Sequence, residues 1–515
     1  MDIGIMMEKY NFGFPRRNMW LGAVVGMAVG LGLVTNMEAA LASSSVPGAL
    51  EEDQQKKPNI LFILVDDLGW RDLSSYGSDF YESPNIDKLA SEGMRFTAAY
   101  ASSPVCSPTR AAILTGKHPA RVNITDWIPG DDPKNKKLIG ARDLDQLPLE
   151  EETIAEVLKK AGYKTFFAGK WHLGGEAYYP EKQGFDQNIG GIHMGQPPGG
   201  YYSPYQNPRL ADGPEGEYLT DRLTSEALSF MADNATQEAP FFLYLPYYTV
   251  HTPIQASKRH VAKFEKKLVE NPNPEGPDQR PEHTGLNKQF QDNTDYASMI
   301  YAMDENVGRL MAGLKKYGLD KNTIVVFTSD NGGRSTLYEP EYGPGHPTSN
   351  LPLRAGKGWL YEGGVRVPLV LKTPDMQKGS VSDQPVVSTD FMPTLLELAG
   401  VAFDKSSYPD GVSLEPLLEG NKSLEREDLF FYFPHYHGSA SIPSASVRSG
   451  DWKLIEFLET GAVELYNLKE DIGETTDLSR KHADKVQELK AKLVLWLDEV
   501  DAVRPTANRN FKASP

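Results

Sequence analysis

Asn59-Ile-Leu-Phe-Ile-Leu-Val65 is an apolar run without alternation, and it stops abruptly at Asp66-Asp67. A strand with one wet face would alternate apolar and polar residues, so this pattern predicts a strand buried on both faces of a parallel sheet. Around it the alternation of elements continues. Ser83-Pro84 opens a helix with Ile86, Leu89 and Ala90 on one face and Gly93 closing it. A strand near Arg95 to Tyr100 leads into the segment carrying Cys106. Thr153 begins a helix that stops near Gly162, and a strand from Tyr163 to Ala168 ends in Gly169-Lys170-Trp171-His172. Further strands from Phe241 to Leu245 and from Thr323 to Thr328 run toward His251-Thr252-Pro253 and Asp330-Asn331-Gly332-Gly333. Between them a long helix places Tyr296, Ile300, Met303, Val307, Leu310 and Leu314 on one side. Such β/α alternation predicts an α/β fold, a large mixed but mostly parallel sheet sandwiched by helices.

Beyond about Gly400 the pattern changes. Asp451 to Leu458 and Val463 to Leu468, separated by Glu459-Thr-Gly-Ala462, predict an antiparallel hairpin, and Asp484 to Val500 predicts a final helix. The expected organisation is a signal peptide over residues 1–42, a polar linker over 43–57, a catalytic domain over 58–400 and a smaller C-terminal α+β subdomain over 401–515. Two Pro- and Gly-rich stretches, Gly195 to Pro214 and Asn271 to Pro281, read as surface insertions bordering the cleft.

The N-terminus reads as an export signal: Arg16-Arg17, an apolar stretch from Trp20 to Val34, and small residues at Ala40-Leu41-Ala42 for cleavage. That stretch is short for a membrane span, so no stable membrane insertion is expected after cleavage. A periplasmic or secreted location follows, by the general or the twin-arginine route. A net charge of −17 argues against a nucleic-acid partner, which needs a basic face.

Four strand ends carry polar or ionisable residues, and in open α/β sheets ligands bind at that edge. Asp66, Asp67, Asp330 and Asn331 offer hard oxygen donors suited to Ca²⁺ or Mg²⁺; either pair alone is also a good turn sequence. Cys106, the sole cysteine, has no internal disulfide partner. It precedes a helix that Ser107 can cap, Pro108 can start and Gly116 can end, so it sits where backbone N–H groups attract an anion. Arg110 lies one turn on. Lys170, His172, His251 and Lys357, the last in a glycine-rich loop, are further candidates. His435, His437 and Arg448 fall where the C-terminal subdomain should approach the cleft; they suit either ordinary packing or contacts to a sugar.

Cys106-Ser-Pro-Thr-Arg110 with Leu114-Thr-Gly116 resembles the signature of type I sulfatases, whose cysteine is oxidised to Cα-formylglycine. Asp66-Asp67, Gly169-Lys-Trp-His172, His251-Thr-Pro253, Asp330-Asn-Gly-Gly333 and Gly356-Lys357 with Glu362-Gly-Gly-Val-Arg366 match that family's other blocks in order. The resemblance implies an alkaline-phosphatase-like fold, a formylglycine-generating enzyme as maturation partner, and one Ca²⁺ held by Asp66, Asp67, Asp330, Asn331 and the modified Cys106 (3-oxoalanine). It implies hydrolysis of a sulfate ester by a hydrated formylglycine, with Arg110, Lys170 and Lys357 neutralising sulfate oxygens. His251, with Lys357, would protonate the leaving alcohol, and His172 would deprotonate the second hydroxyl. Export fits a sulfated poly- or oligosaccharide, such as a galactose or N-acetylgalactosamine sulfate. The alternatives are a broad arylsulfatase or a phosphate or phosphonate ester hydrolase of the same superfamily.

Overall fold

The computed structural model describes residues 56–130, 134–337, 346–420 and 423–512, so the expected signal peptide lies outside the described residues. Asn59–Val65 runs through the interior of a nine-stranded sheet, and every residue of it is buried. It pairs in parallel with Phe241–Pro246 on one side and Thr323–Ser329 on the other. Its side chains divide between two cores: Leu61, Ile63 and Val65 pack into one, Ile60, Phe62 and Leu64 into the other. That division is the physical content of the unbroken apolar run, since a period of two sends successive residues to opposite faces.

Across the sheet the order is Ser380–Ser382, Met94–Tyr100, Arg366–Lys372, Thr323–Ser329, Asn59–Val65, Phe241–Pro246, Lys164–Ala168, Gln187–Ile189, with Val386–Val387 also beside Met94–Tyr100. Arg366–Lys372 runs antiparallel to both neighbours, so the sheet is mixed. Its register against Met94–Tyr100 shifts between Val367 and Leu369, around Pro368, which has no N–H to give a ladder. Helix Thr294–Lys316 buries Tyr296, Ile300, Met303, Val307, Leu310 and Leu314 against one face, as its period predicts. Helices Cys106–Thr115, Ile154–Lys160 and Phe391–Leu398 cover the other face. A full capping box at Thr153 and Glu156 starts the second of these.

The C-terminal part holds a four-stranded antiparallel sheet, Asp428–Phe433, Ser444–Ser449, Trp452–Phe457 and Ala462–Asn467. The expected hairpin pairs Trp452 with Asn467 and Phe457 with Ala462. Helix Ala483–Glu499 lays Leu489, Leu493 and Trp496 over Val447, Leu454 and Leu465. A buried ionic knot ties this sheet to the main one: Lys453 Nζ lies 2.9 Å from Glu362 Oε1 and 2.9 Å from Glu474 Oε1. Among the described residues no helix is long and apolar enough to cross a membrane.

His118 sits at the seam between the two parts. Its Nδ1 accepts from the Ala120 N–H, capping a short helix, so the neutral ring carries its proton on Nε2, 3.2 Å from the Phe430 carbonyl oxygen. Burial, opposed by Asp410, holds its pKa down at about 4. The unfolded chain therefore binds the extra proton first, and stability drains away as pH falls from about 6.5 toward 4, by on the order of 3 kcal/mol. Urea unfolding at about pH 7 and about pH 4.5 is expected to show a smaller acid loss for His118→Gln than for the parent. Equal losses would remove His118 as the cause.

Candidate active site

Because Val65 pairs with Ser329, the chain leaves both strands side by side, and Asp66-Asp67 emerges next to Asp330-Asn331. Asp67 N–H donates to Asp330 Oδ1 at 3.1 Å, and Asn331 Nδ2 donates to Asp67 Oδ1 at 2.8 Å. Lys170 and His172 follow strand Lys164–Ala168, where Gly169 is required. A Cβ there would stand 1.9 Å from the Pro246 carbonyl oxygen, at a φ of +129°. Lys170 thereby reaches Asp66, Nζ to Oδ2 at 2.7 Å. Lys357 reaches Asp67 Oδ1 at 2.6 Å, and Arg110 Nη2 lies 2.8 Å from Asp330 Oδ2.

Cys106 is the first residue of helix Cys106–Thr115, and Gly116 ends that helix with a φ of +65°. The expected Ser107 cap is a correction: Ser107 lies inside the helix, and no side chain caps its start. The Ser107 hydroxyl is used in tertiary structure instead, donating to the His172 carbonyl oxygen at 2.9 Å and accepting from Ile128 N–H at 3.1 Å. The helix start therefore keeps its N–H groups for the site.

Ligand atoms of Asp66, Cys106 and Asp330 lie within 4.8 Å of one another, as do those of Asp66, Asp67 and His251. Asp66 Oδ1 and Asn331 Oδ1 are buried acceptors with no hydrogen-bond donor. Orphaned oxygens of this kind call for a cation, and an all-oxygen carboxylate and amide set fits Ca²⁺ or Mg²⁺. The electrostatics agree. Burial, reinforced by Asp330 and Asp67 and opposed by Lys170 and Arg110, pushes the Asp66 carboxyl well above the usual carboxylate range. Burial would do the same to Asp67, but Lys357, with Lys170 adding to it, holds it well below.

Asp67, Cys106, His172, His251 and Lys357 line a cleft of 520 Å³, with Asp66, Arg110, Lys170, Asp330 and Asn331 buried behind them. Trp127, His193, Gln196 and Arg334 line it too. No motif singles them out, although Arg334 directly follows Gly333 and its position after a functional strand end is a usable signal. Of the two insertions, the first contributes Gly195 and Gln196 to this cleft, whereas Asn271 to Pro274 border a separate cavity of 470 Å³.

The three residues from the C-terminal part are not brought together. His437 lines the cleft. His435 is buried behind it with Nε2 2.8 Å from Thr125 Oγ1, and it is not among the lining residues. Arg448 lies away from the cleft as well, donating to the Tyr100 hydroxyl with its guanidinium 5.3 Å from that ring's centre.

Residues 58–401 match the model of the family described as Sulfatase, and residues 355–502 match N-sulphoglucosamine sulphohydrolase, C-terminal. A protein named "Sulfatase" from Formosa agariphila is 32% identical, covering 92% of this chain and 94% of that one. The N-acetylgalactosamine-6-sulfatase of Rattus norvegicus is also 32% identical, over 75% of this chain and 70% of its own. The crystal structure of Ps i-CgsB in complex with k-i-k-neocarrahexaose superposes with a TM-score of 0.69 at 30% identity, covering 85% of this chain and 92% of that one. With the alkaline-phosphatase-like mixed sheet and the family's motif blocks assembled in one cleft, these matches show that the chain belongs to the type I sulfatase family and is a sulfuric ester hydrolase.

Proposed function

We propose that this enzyme removes sulfate from a sulfated carbohydrate, using Cys106 in its formylglycine form and one calcium ion. The observation that carries this proposal is the convergence of Asp66, Asp330 and Cys106 within 4.8 Å at the floor of the cleft, with Arg110, Lys170 and Lys357 paired to the surrounding carboxylates. Asp66, Asp67, Asp330, Asn331 and the modified Cys106 would hold the ion. Together the ion and the formylglycine hydrate supply an acidified hydroxyl beside a second hydroxyl on the same carbon.

The chain's own groups do the rest. Arg110, Lys170 and Lys357 balance the sulfate oxygens in a dry, preorganised site. His172 Nε2 lies 2.5 Å from the Ile128 carbonyl oxygen and so carries the ring proton, which leaves the Nδ1 lone pair 3.4 Å from Cys106 Sγ. Burial, with Lys170 adding to it, keeps His172 neutral. It is thus a base aimed at the side chain of residue 106. His251 is neutral for the same reasons, burial first and Lys357 second. Lys357, despite its burial, is held protonated by Asp67. Proton donation to the leaving alcohol therefore belongs to the His251–Lys357 pair, with Lys357 Nζ the resting reservoir and His251 Nε2 an acceptor.

His437 and Trp127 give the cleft the mixed polar and aromatic wall that a sugar ring needs, and similar enzymes are named for sulfated sugars. Export in a cleaved form and maturation by a formylglycine-generating enzyme complete the proposal. A panel of defined sulfated mono- and disaccharides beside an aryl sulfate tests it. At least one sugar sulfate is expected to be the better substrate by kcat/KM; turnover of the aryl sulfate alone would reject a carbohydrate.

A further inference from the structure

Asp67 has a φ of +62°, in the left-handed region that few residue types other than glycine, asparagine and aspartate enter. Bonds to Asp330, Asn331 and Lys357 tie down its amide and carboxylate. Its carbonyl oxygen lies against the Tyr296 hydroxyl, 3.3 Å away. Tyr296 gives its one hydroxyl proton to Asp72 Oδ2 at 2.7 Å, and that oxygen also accepts from the Gly69 N–H at 2.9 Å. The other oxygen, Oδ1, accepts from Thr348 Oγ1 at 2.7 Å and Gln291 Nε2 at 3.1 Å. Asp72 is wholly buried and has no cationic side chain among these partners. Each of its oxygens takes two donors, filling the acceptor capacity of a carboxylate. The loop between Asp67 and Asp72 has no slack: a Cβ on Gly69 would lie 2.5 Å from Asn350 Oδ1 and 2.9 Å from Asp72 Oδ2.

We infer that Asp72, acting with Tyr296, is a positioning residue that sets the Asp66-Asp67 turn in the shape needed to receive the cation. This rests on the calcium assignment above and adds residues that do not touch the ion. Four donors from the turn itself, the long helix, the segment before Lys357 and Gln291 are gathered on one carboxylate. Asparagine would keep one acceptor oxygen and turn an NH₂ group toward two of the four donors, so two of these bonds are lost or rebuilt and the support of the turn weakens. Support behind a metal ligand of this kind is commonly worth about 10–100-fold in affinity.

Calcium titration calorimetry on the full chain, with circular dichroism as a folding check, tests the inference. Asp72→Asn is expected to weaken calcium binding by about 10–100-fold, and Tyr296→Phe to weaken it in the same direction by less. Asp304→Asn is the control, because Asp304 is a buried carboxylate that instead binds the N–H groups of Asn85 and Ile86 at a helix start. It should leave the affinity unchanged. An unchanged affinity in folded Asp72→Asn, or an equal loss in Asp304→Asn, would overturn the positioning role. Should Asp72→Asn fail to fold, parental affinity in Tyr296→Phe would overturn it in the same way. If the parent itself binds no calcium, the calcium assignment fails instead, and the two failures are distinct.

Discussion

Cys106→Ser is expected to fold, to bind calcium and to lose kcat/KM on the order of 10⁵-fold, about 7 kcal/mol of transition-state stabilisation. The side chain is buried, 2% exposed, and serine is the smaller residue, so no clash is introduced. The loss is chemical. As encoded, Cys106 is a poor nucleophile: burial, with Asp66 and Asp330 adding to it, raises the thiol pKa against Lys170 and Lys357. A thiolate mechanism would have placed this cysteine where its pKa falls. An aldehyde precursor has no such requirement, and its hydrate offers two hydroxyls where serine offers one. Steady-state kinetics on a sugar sulfate, beside a calcium titration, checks both halves. Parental turnover by the serine variant would contradict the need for a second hydroxyl.

Removing calcium should be nearly as costly. The expected loss of activity after chelation is about 10³-fold or more, since a bound Lewis acid contributes several kcal/mol at the reacting centre. Without the ion, Asp66, Asp67 and Asp330 are balanced by Lys170, Lys357 and Arg110, at 2.7, 2.6 and 2.8 Å. These are the cations assigned to the sulfate. The same groups would then be asked to neutralise both the carboxylates and the substrate. Asp66 Oδ1 and Asn331 Oδ1 also stay orphaned, so the thermal midpoint should fall with activity. Calcium at about 1,000 times its Kd restores about 4 kcal/mol of stability by mass action. Ca²⁺ is expected to restore activity better than Mg²⁺, which demands a tighter octahedron than carboxylates on two strand ends can offer. Full activity in chelator, with the metal absent by elemental analysis, would contradict the metal role.

Much of this site was legible because strand ends in a parallel sheet leave a plain mark in sequence. An apolar run that stops at Asp66-Asp67 and another that stops at Ser329-Asp330 can be read one at a time, and pairing of Val65 with Ser329 then unites them. The antiparallel course of Arg366–Lys372 left no such mark, because strand direction is a property of the connection and not of the strand's own residues. Ser107 looked like a helix cap by position, yet its hydroxyl went to His172 and Ile128, partners remote in sequence. Trp127 reached the cleft beside Ile128, on a loop without periodicity. Arg448 and His435 had the right chemistry for a sugar, but the hydroxyls of Tyr100 and Thr125 claim them. Pattern fixes which elements form; which loop side chains meet across the sheet edge depends on tertiary register that no local window contains.

On the proposed chemistry the encoded thiol of Cys106 is a precursor to the working group. Mass spectrometry of the peptide containing residue 106, taken from enzyme of known specific activity, tests it most directly. The fraction of peptide carrying an aldehyde at Cys106 is expected to rise in proportion to activity across preparations. Fully active enzyme whose peptide carries only the unmodified thiol would contradict the claim.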